Sequence, residues 1–128
     1  MRYLLDTHLL LWGAREPQRL SPLALALLAD SRNDFYFSAA SIWEISIKAS
    51  SVRKGFLVDP EKLLRGFVMN GFIELQIASE HSLAVASLPT LHRDPFDRLL
   101  VAQSVVEGLI LLTHDRTLTA YGPTVQQV

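Results

Sequence analysis

Two short apolar runs, each closed by an aspartate, constrain this chain more than anything else in it. The first is "RYLL", Arg2 to Leu5, which ends at Asp6. The second is "LILLT", separated from Asp115 by a single histidine. Unbroken apolar runs of this length are what strands covered on both faces look like. Three further stretches read as strands: the aromatic "DFYFS" from Asp34, the alternating "FIELQI", and the weaker closing "TVQQV". Helical patterns lie between them: a short one through Leu9 to Trp12, then "LSPLALALLADS", "SAASIWEISIKASSV", "DPEKLLRGFVMNG", "SEHSLAVASL", "DPFDRLLVAQSVVEG" and a short "DRTLTAYG". Three of these open on a capping side chain followed by proline, at Ser21–Pro22, Asp59–Pro60 and Asp94–Pro95, the arrangement that satisfies orphan amides and presets φ. Gly71 and Gly108 end two of them, and "RKGF" makes a turn at Gly55. Strands alternating with helices imply a parallel sheet with helices on both faces, an α/β domain spanning residues 1–128.

Composition removes several classes of function. The chain has no cysteine, so disulfides, thiolate zinc sites and cysteine nucleophiles are excluded. Asp6 splits the apolar N-terminus, so no signal-peptide core is expected, and no window approaches the roughly 18 apolar residues of a membrane span. These features suit a cytoplasmic protein. The net charge of −1 gives no global basic footprint, so any nucleic acid must be gripped locally. Hydrophobic residues at 49% and a mean hydropathy of +0.22 leave apolar surface for a partner or a second copy.

In an open parallel sheet, function gathers beyond the C-terminal ends of the strands. Asp6 follows the first strand and Asp115 the strand "LILLT". Asp97 falls in the first turn of the helix that feeds that strand, and Glu44 early in the helix after "DFYFS". Four carboxylates from four segments thus reach one sheet edge, with Asp94 close by. Each also has a plain structural use. Asp6 and Asp115 can cap helices, Glu44 can pair with Lys48 one turn on, and Asp97 is a favourable first-turn charge. Together, however, they repel, and a cation is the natural remedy. All-oxygen ligands select a hard ion, Mg²⁺ or Mn²⁺ rather than zinc, and metal-assisted phosphodiester hydrolysis is the matching chemistry.

With these residues in place the chain resembles PIN-domain ribonucleases, specifically VapC-type toxins of type II toxin–antitoxin systems. The matching pieces are "YLLDTHLLLW", "SAASIWEISIK", "HSLAVASLPTLHRDPFDRLLVAQS" and "LILLTHDRTLTAYG", from residue 3 to 122. The resemblance implies a three-layer α/β/α fold with a parallel sheet of about five strands. It implies an acidic Mg²⁺/Mn²⁺ site in which Asp6, Glu44, Asp97 and Asp115 match the family's quartet. Asp6 and Asp97 would bind the metal most directly; Glu44 and Asp115 would complete the site or act through water. Asp94 matches the local motif without belonging to the quartet, Thr113 matches a small polar position beside the last acid, and Thr7 would orient Asp6. The resemblance further implies RNA cleavage, often of tRNA or ribosomal RNA, silencing by a cognate antitoxin, and a homodimer. The closing "TVQQV" is the least family-like part.

Arg93, Arg98 and Arg116 flank the acids and are candidates for phosphate contact, with charge balance as their simpler use. His114 is expected to touch the site and His81 to be structural. Trp12 and Trp43 read as core or dimer surface. A haloacid-dehalogenase-like phosphatase would need a second aspartate where His8 stands, and a receiver domain would need an acidic pair at the first strand end. The remaining alternative is a catalytically inactive PIN-like module that binds RNA or protein, which would not require all four acids.

Overall fold

The computed structural model describes residues 1–51 and 58–128; the turn expected at Gly55 and the last residue of the helix expected through Val52 lie outside them. Among the described residues five strands, β1 (Arg2–Leu5), β2 (Asp34–Ser38), β3 (Ile73–Leu75), β4 (Ile110–Thr113) and β5 (Val125–Gln127), form one sheet in the order β3-β2-β1-β4-β5. Every pairing among them is parallel. Among the described residues six α-helices accompany them: α1 (Thr7–Arg15), α2 (Pro22–Ala29), α3 (Ala39–Ser50), α4 (Pro60–Met69), α5 (Ser79–Ser87) and α6 (Pro95–Glu107). Short 3-10 turns span Pro17–Arg19 and Arg116–Tyr121.

The expected apolar runs are buried strands because each side of the sheet has its own core. Along β1, Tyr3 and Leu5 pack with Leu9, Leu10, Ala24 and Phe67, from α1, α2 and α4. Leu4, between them, turns the other way and packs with Leu100 and Val101 of α6. The period of two in a strand therefore serves two helical layers at once. Fully burying a side chain such as Leu4 or Leu111 is worth roughly 1.5–3 kcal/mol each.

The helix starts follow the predicted chemistry. Ser21 accepts from Ala24 N–H, Asp59 from Glu61 and Lys62 N–H, and Asp94 from Phe96 and Asp97 N–H, each with proline at the first helical position. Gly108 ends α6 at φ 66°, where a β-carbon would be strained. Two elements differ from expectation. Helix α1 starts at Thr7 rather than Leu9, because Asp6 caps it through Leu9 N–H. The "FIELQI" strand shrinks to three residues, since β3 pairs only with β2 and lies at the edge of the sheet. Among the described residues no helix is long and apolar enough to cross a membrane.

Candidate metal and phosphodiester site

The central strand β1 has β2 on one side and β4 on the other, so the crossovers diverge there and leave a crevice at its C-terminal end. Asp6, Asp97 and Asp115 meet in that crevice. With His8, Trp12, His114 and Arg116 they line a cleft of about 390 Å³.

Each acid is held by the backbone feature that delivers it. Asp6 is 3% exposed; one oxygen takes Leu9 N–H at 2.8 Å, the other the Thr113 hydroxyl at 2.5 Å and His114 N–H at 3.4 Å. Burial nevertheless dominates, and it raises the Asp6 carboxyl above its ordinary range against those hydrogen bonds. Asp97 sits in the first turn of α6, where Asp94 caps it. Burial, then the neighbouring charges of Asp94 and Asp6, push Asp97 up to about 7, with Glu44 contributing in the same direction and His92 opposing. For Asp115 slight burial pulls upward. The Thr117 hydroxyl and N–H and the His92 ring outweigh it and leave the carboxyl below its usual range.

Glu44 is not part of the cleft lining, although its charge reaches Asp97. It is 7% exposed on α3, with Oε2 3.1 Å from Lys48 Nζ and Oε1 buried without a hydrogen-bond partner. Of the two uses foreseen for it, the ion pair with Lys48 is present. Asp6 and Asp115 cap their following turns while facing the cleft.

Two expectations are corrected. Thr7 does not orient Asp6; its hydroxyl donates to Ser41 Oγ at 2.9 Å and ties α1 to α3, leaving Thr113 as the hydroxyl on Asp6. Arg98 is turned away from phosphate duty, since its guanidinium donates to the Val85 and Leu88 carbonyls at the end of α5. Trp12 packs against the core as expected and also forms a cleft wall, edge-on to His114 with ring centroids 4.8 Å apart and Arg19 over its face. Arg116 does line the cleft, and Arg93 is exposed in the loop that precedes α6. His81 is buried. Trp43 is 57% exposed and packs edge-on against Phe96.

One residue escaped the sequence reading. His92 places Nε2 3.2 Å from Asp115 Oδ2 and Nδ1 3.8 Å from Asp97 Oδ2. A lone histidine in a loop carries no spacing signal; the faint clue is its place two residues before a helix-capping aspartate. His92, Asp97 and Asp115 bring one ligand-type atom each within 4.8 Å of one another.

Comparison with known proteins places the chain in a family and a fold. The family model described as PIN domain matches residues 3–122. Ribonuclease VapC22 of Mycobacterium tuberculosis is 29% identical over 118 residues, 92% of this chain and 90% of that protein. VapBC2 of Rickettsia felis, solved bound to a DNA fragment from its promoter, superposes with a TM-score of 0.74 at 18% identity, covering 99% of this chain and 98% of that one. A toxin–antitoxin complex from Klebsiella pneumoniae gives a TM-score of 0.64 at 20% identity, over 97% and 95% of the two chains. These structures share the five-stranded α/β/α fold.

Proposed function

The chain belongs to the PIN domain family, and from that premise we propose that it is a VapC-type toxin, an endoribonuclease that hydrolyses RNA phosphodiester bonds at the acidic cleft with Mg²⁺ or Mn²⁺. The observation that carries this reading is the meeting of Asp6, Asp97 and Asp115, from three distant segments, in one cleft at the divergence point of the sheet. Sequence similarity to a ribonuclease over nearly the whole chain supports it.

The residues fit a hard divalent cation. The acids offer only oxygen, Glu44 Oε1 is buried with nothing to satisfy it, and burial followed by the charges of Asp94 and Asp6 raises Asp97 to about 7, a cost that a cation would relieve. Asp6 and Asp97 are the direct ligands of this reading, with Glu44 and Asp115 completing the site. When bound, the ion would lower the pKa of a coordinated water and stabilise charge on the phosphoryl oxygens. The chain does the rest by positioning. Thr113 and the α1 amide hold Asp6 in one orientation, Asp94 starts the helix that presents Asp97, and that helix's N-terminus favours the ionised carboxylate. Arg116 on the cleft wall is placed to receive a backbone phosphate.

Two partners follow from the same reading. A cavity of about 840 Å³ between α1, α2 and α4, lined by Leu9, Leu10, Leu25, Leu28, Leu63 and Phe67, offers an apolar seat for a segment of a cognate antitoxin. The exposed Trp43 and Ile47 on α3 offer a face for a second copy. A cytoplasmic setting accords with the absence of cysteine.

Purified protein incubated with total RNA should cleave it with Mg²⁺ and not with EDTA, and Asp6→Asn should be inactive. Cleavage indifferent to both treatments would refute the assignment. Binding of RNA or a small partner protein without any cutting would favour the alternative, a catalytically inactive PIN-like binding module.

A further inference from the structure

We infer that His92 is the positioning residue that sets Asp115 against Asp97, and is not itself a metal ligand; this rests on the reading of the cleft as a metal site. The two ring nitrogens are spoken for. Nδ1 accepts the Asp94 backbone N–H at 3.3 Å, so the single hydrogen of the neutral ring sits on Nε2. Nε2 faces Asp115 Oδ2 at 3.2 Å and donates to it. A histidine ligates through a free nitrogen lone pair, and here one lone pair is taken by an amide and the other nitrogen carries hydrogen.

The surroundings are built to keep the ring there. The His92 backbone N–H donates to the Tyr121 hydroxyl at 3.1 Å, and Tyr121 closes the same 3-10 turn that Asp115 opens. The loop before α6 and the turn after β4 are therefore joined twice, once through backbone and once through the ring. The other oxygen of Asp115 takes Thr117 N–H at 2.9 Å and the Thr117 hydroxyl at 2.7 Å. Asp115 has 41% of its side chain exposed, and without these contacts it would be a free rotor at the cleft mouth. With them, one acid on the β4 side is fixed relative to another on the α6 side. Hydrogen bonding of a ligating carboxylate from behind is a recognised way to tune a metal site.

Mn²⁺ is the probe, followed by titration calorimetry and pulsed electron paramagnetic resonance on the full chain. In the wild type no directly bound ¹⁴N coupling is expected on Mn²⁺. His92→Ala should weaken Mn²⁺ binding by about 10- to 100-fold. His92→Gln, whose amide nitrogen can stand where Nε2 stands and donate, should recover most of that loss. A ¹⁴N coupling that disappears in His92→Gln would make His92 a ligand and overturn the inference. So would equal Mn²⁺ affinity in wild type and His92→Ala, or a glutamine variant as weak as the alanine one. Asp97→Asn separates the two levels: if it too binds Mn²⁺ like the wild type, the metal reading of the cleft has failed. Loss in Asp97→Asn with no effect at His92 defeats the His92 assignment alone. If His92→Ala does not fold, the wild-type ¹⁴N measurement and the glutamine variant still decide.

Discussion

The Thr113 hydroxyl donates to Asp6 Oδ2 at 2.5 Å and accepts Asp115 N–H at 3.0 Å, so a single side chain on β4 joins the acid after β1 to the acid after β4. The link exists because β1 and β4 pair in register, with Leu5 opposite Leu112. One step further along, Thr113 stands beside Asp6. The hydroxyl is fully buried, so it has no water to fall back on.

Thr113→Val keeps the shape and removes both hydrogen bonds. It leaves a buried carboxylate oxygen and an amide short of partners, and it should cost about 1–3 kcal/mol in urea unfolding. RNA cleavage should fall with it, because Asp6 loses its fixed orientation. Unchanged stability and activity would show that the link is incidental.

Asp94→Ala should separate folding from chemistry. Asp94 caps α6 through two amides and does not line the cleft. Its loss should lower the unfolding free energy by about 1 kcal/mol, while metal-dependent cleavage survives. Abolished cleavage in a folded variant would contradict this division.

Asp97 makes the protein sensitive to pH in a definite direction. Its folded pKa of about 7 lies above the unfolded value of 3.8, because the folded site resists the charged form. The stability tied to this group is complete below the unfolded value. It declines as pH rises toward about 7 and is fully lost above it. In metal-free protein, Asp97→Asn should therefore be more stable than wild type at pH 8, by about 1–3 kcal/mol after allowance for partial solvent screening. The difference should vanish near pH 4 in thermal melts. Divalent affinity should fall as pH drops through 7, since the ion must displace a proton.

Leu25 is 46% exposed on the wall of the larger apolar cavity. Leu25→Glu should leave folding and RNA cleavage near wild type and weaken capture of a cognate antitoxin about tenfold or more, some 1.4 kcal/mol. Surface plasmon resonance against the purified antitoxin measures this directly. Undiminished binding would place the antitoxin elsewhere.

The readable parts of this molecule were those carried by local rules. Burial of "RYLL" and "LILLT", the Asp–Pro helix starts and the αL glycine at Gly108 all follow from period and punctuation. The convergence of Asp6, Asp97 and Asp115 followed from strand ends plus the parallel topology. What escaped depends on register and side-chain direction. By chain position Thr7 goes with Asp6 and Thr113 with Asp115, and it is the β1–β4 alignment that brings Thr113 to Asp6. Arg98 sits beside Asp97 in the chain, yet its helical position aims it back at the α5 carbonyls. His92 has a role only through distant contacts with Asp115 and Tyr121, which no local pattern announces.

The strand order also has a temporal meaning. Strand β1 is made before β4, and one oxygen of its acid lacks its hydroxyl partner until Thr113 arrives 107 residues later and leads into Asp115. A nascent chain on the ribosome therefore carries Asp6, Glu44 and even Asp97 without an assembled cleft. The cleft cannot take shape on a growing chain until β4 and the turn after it have been made.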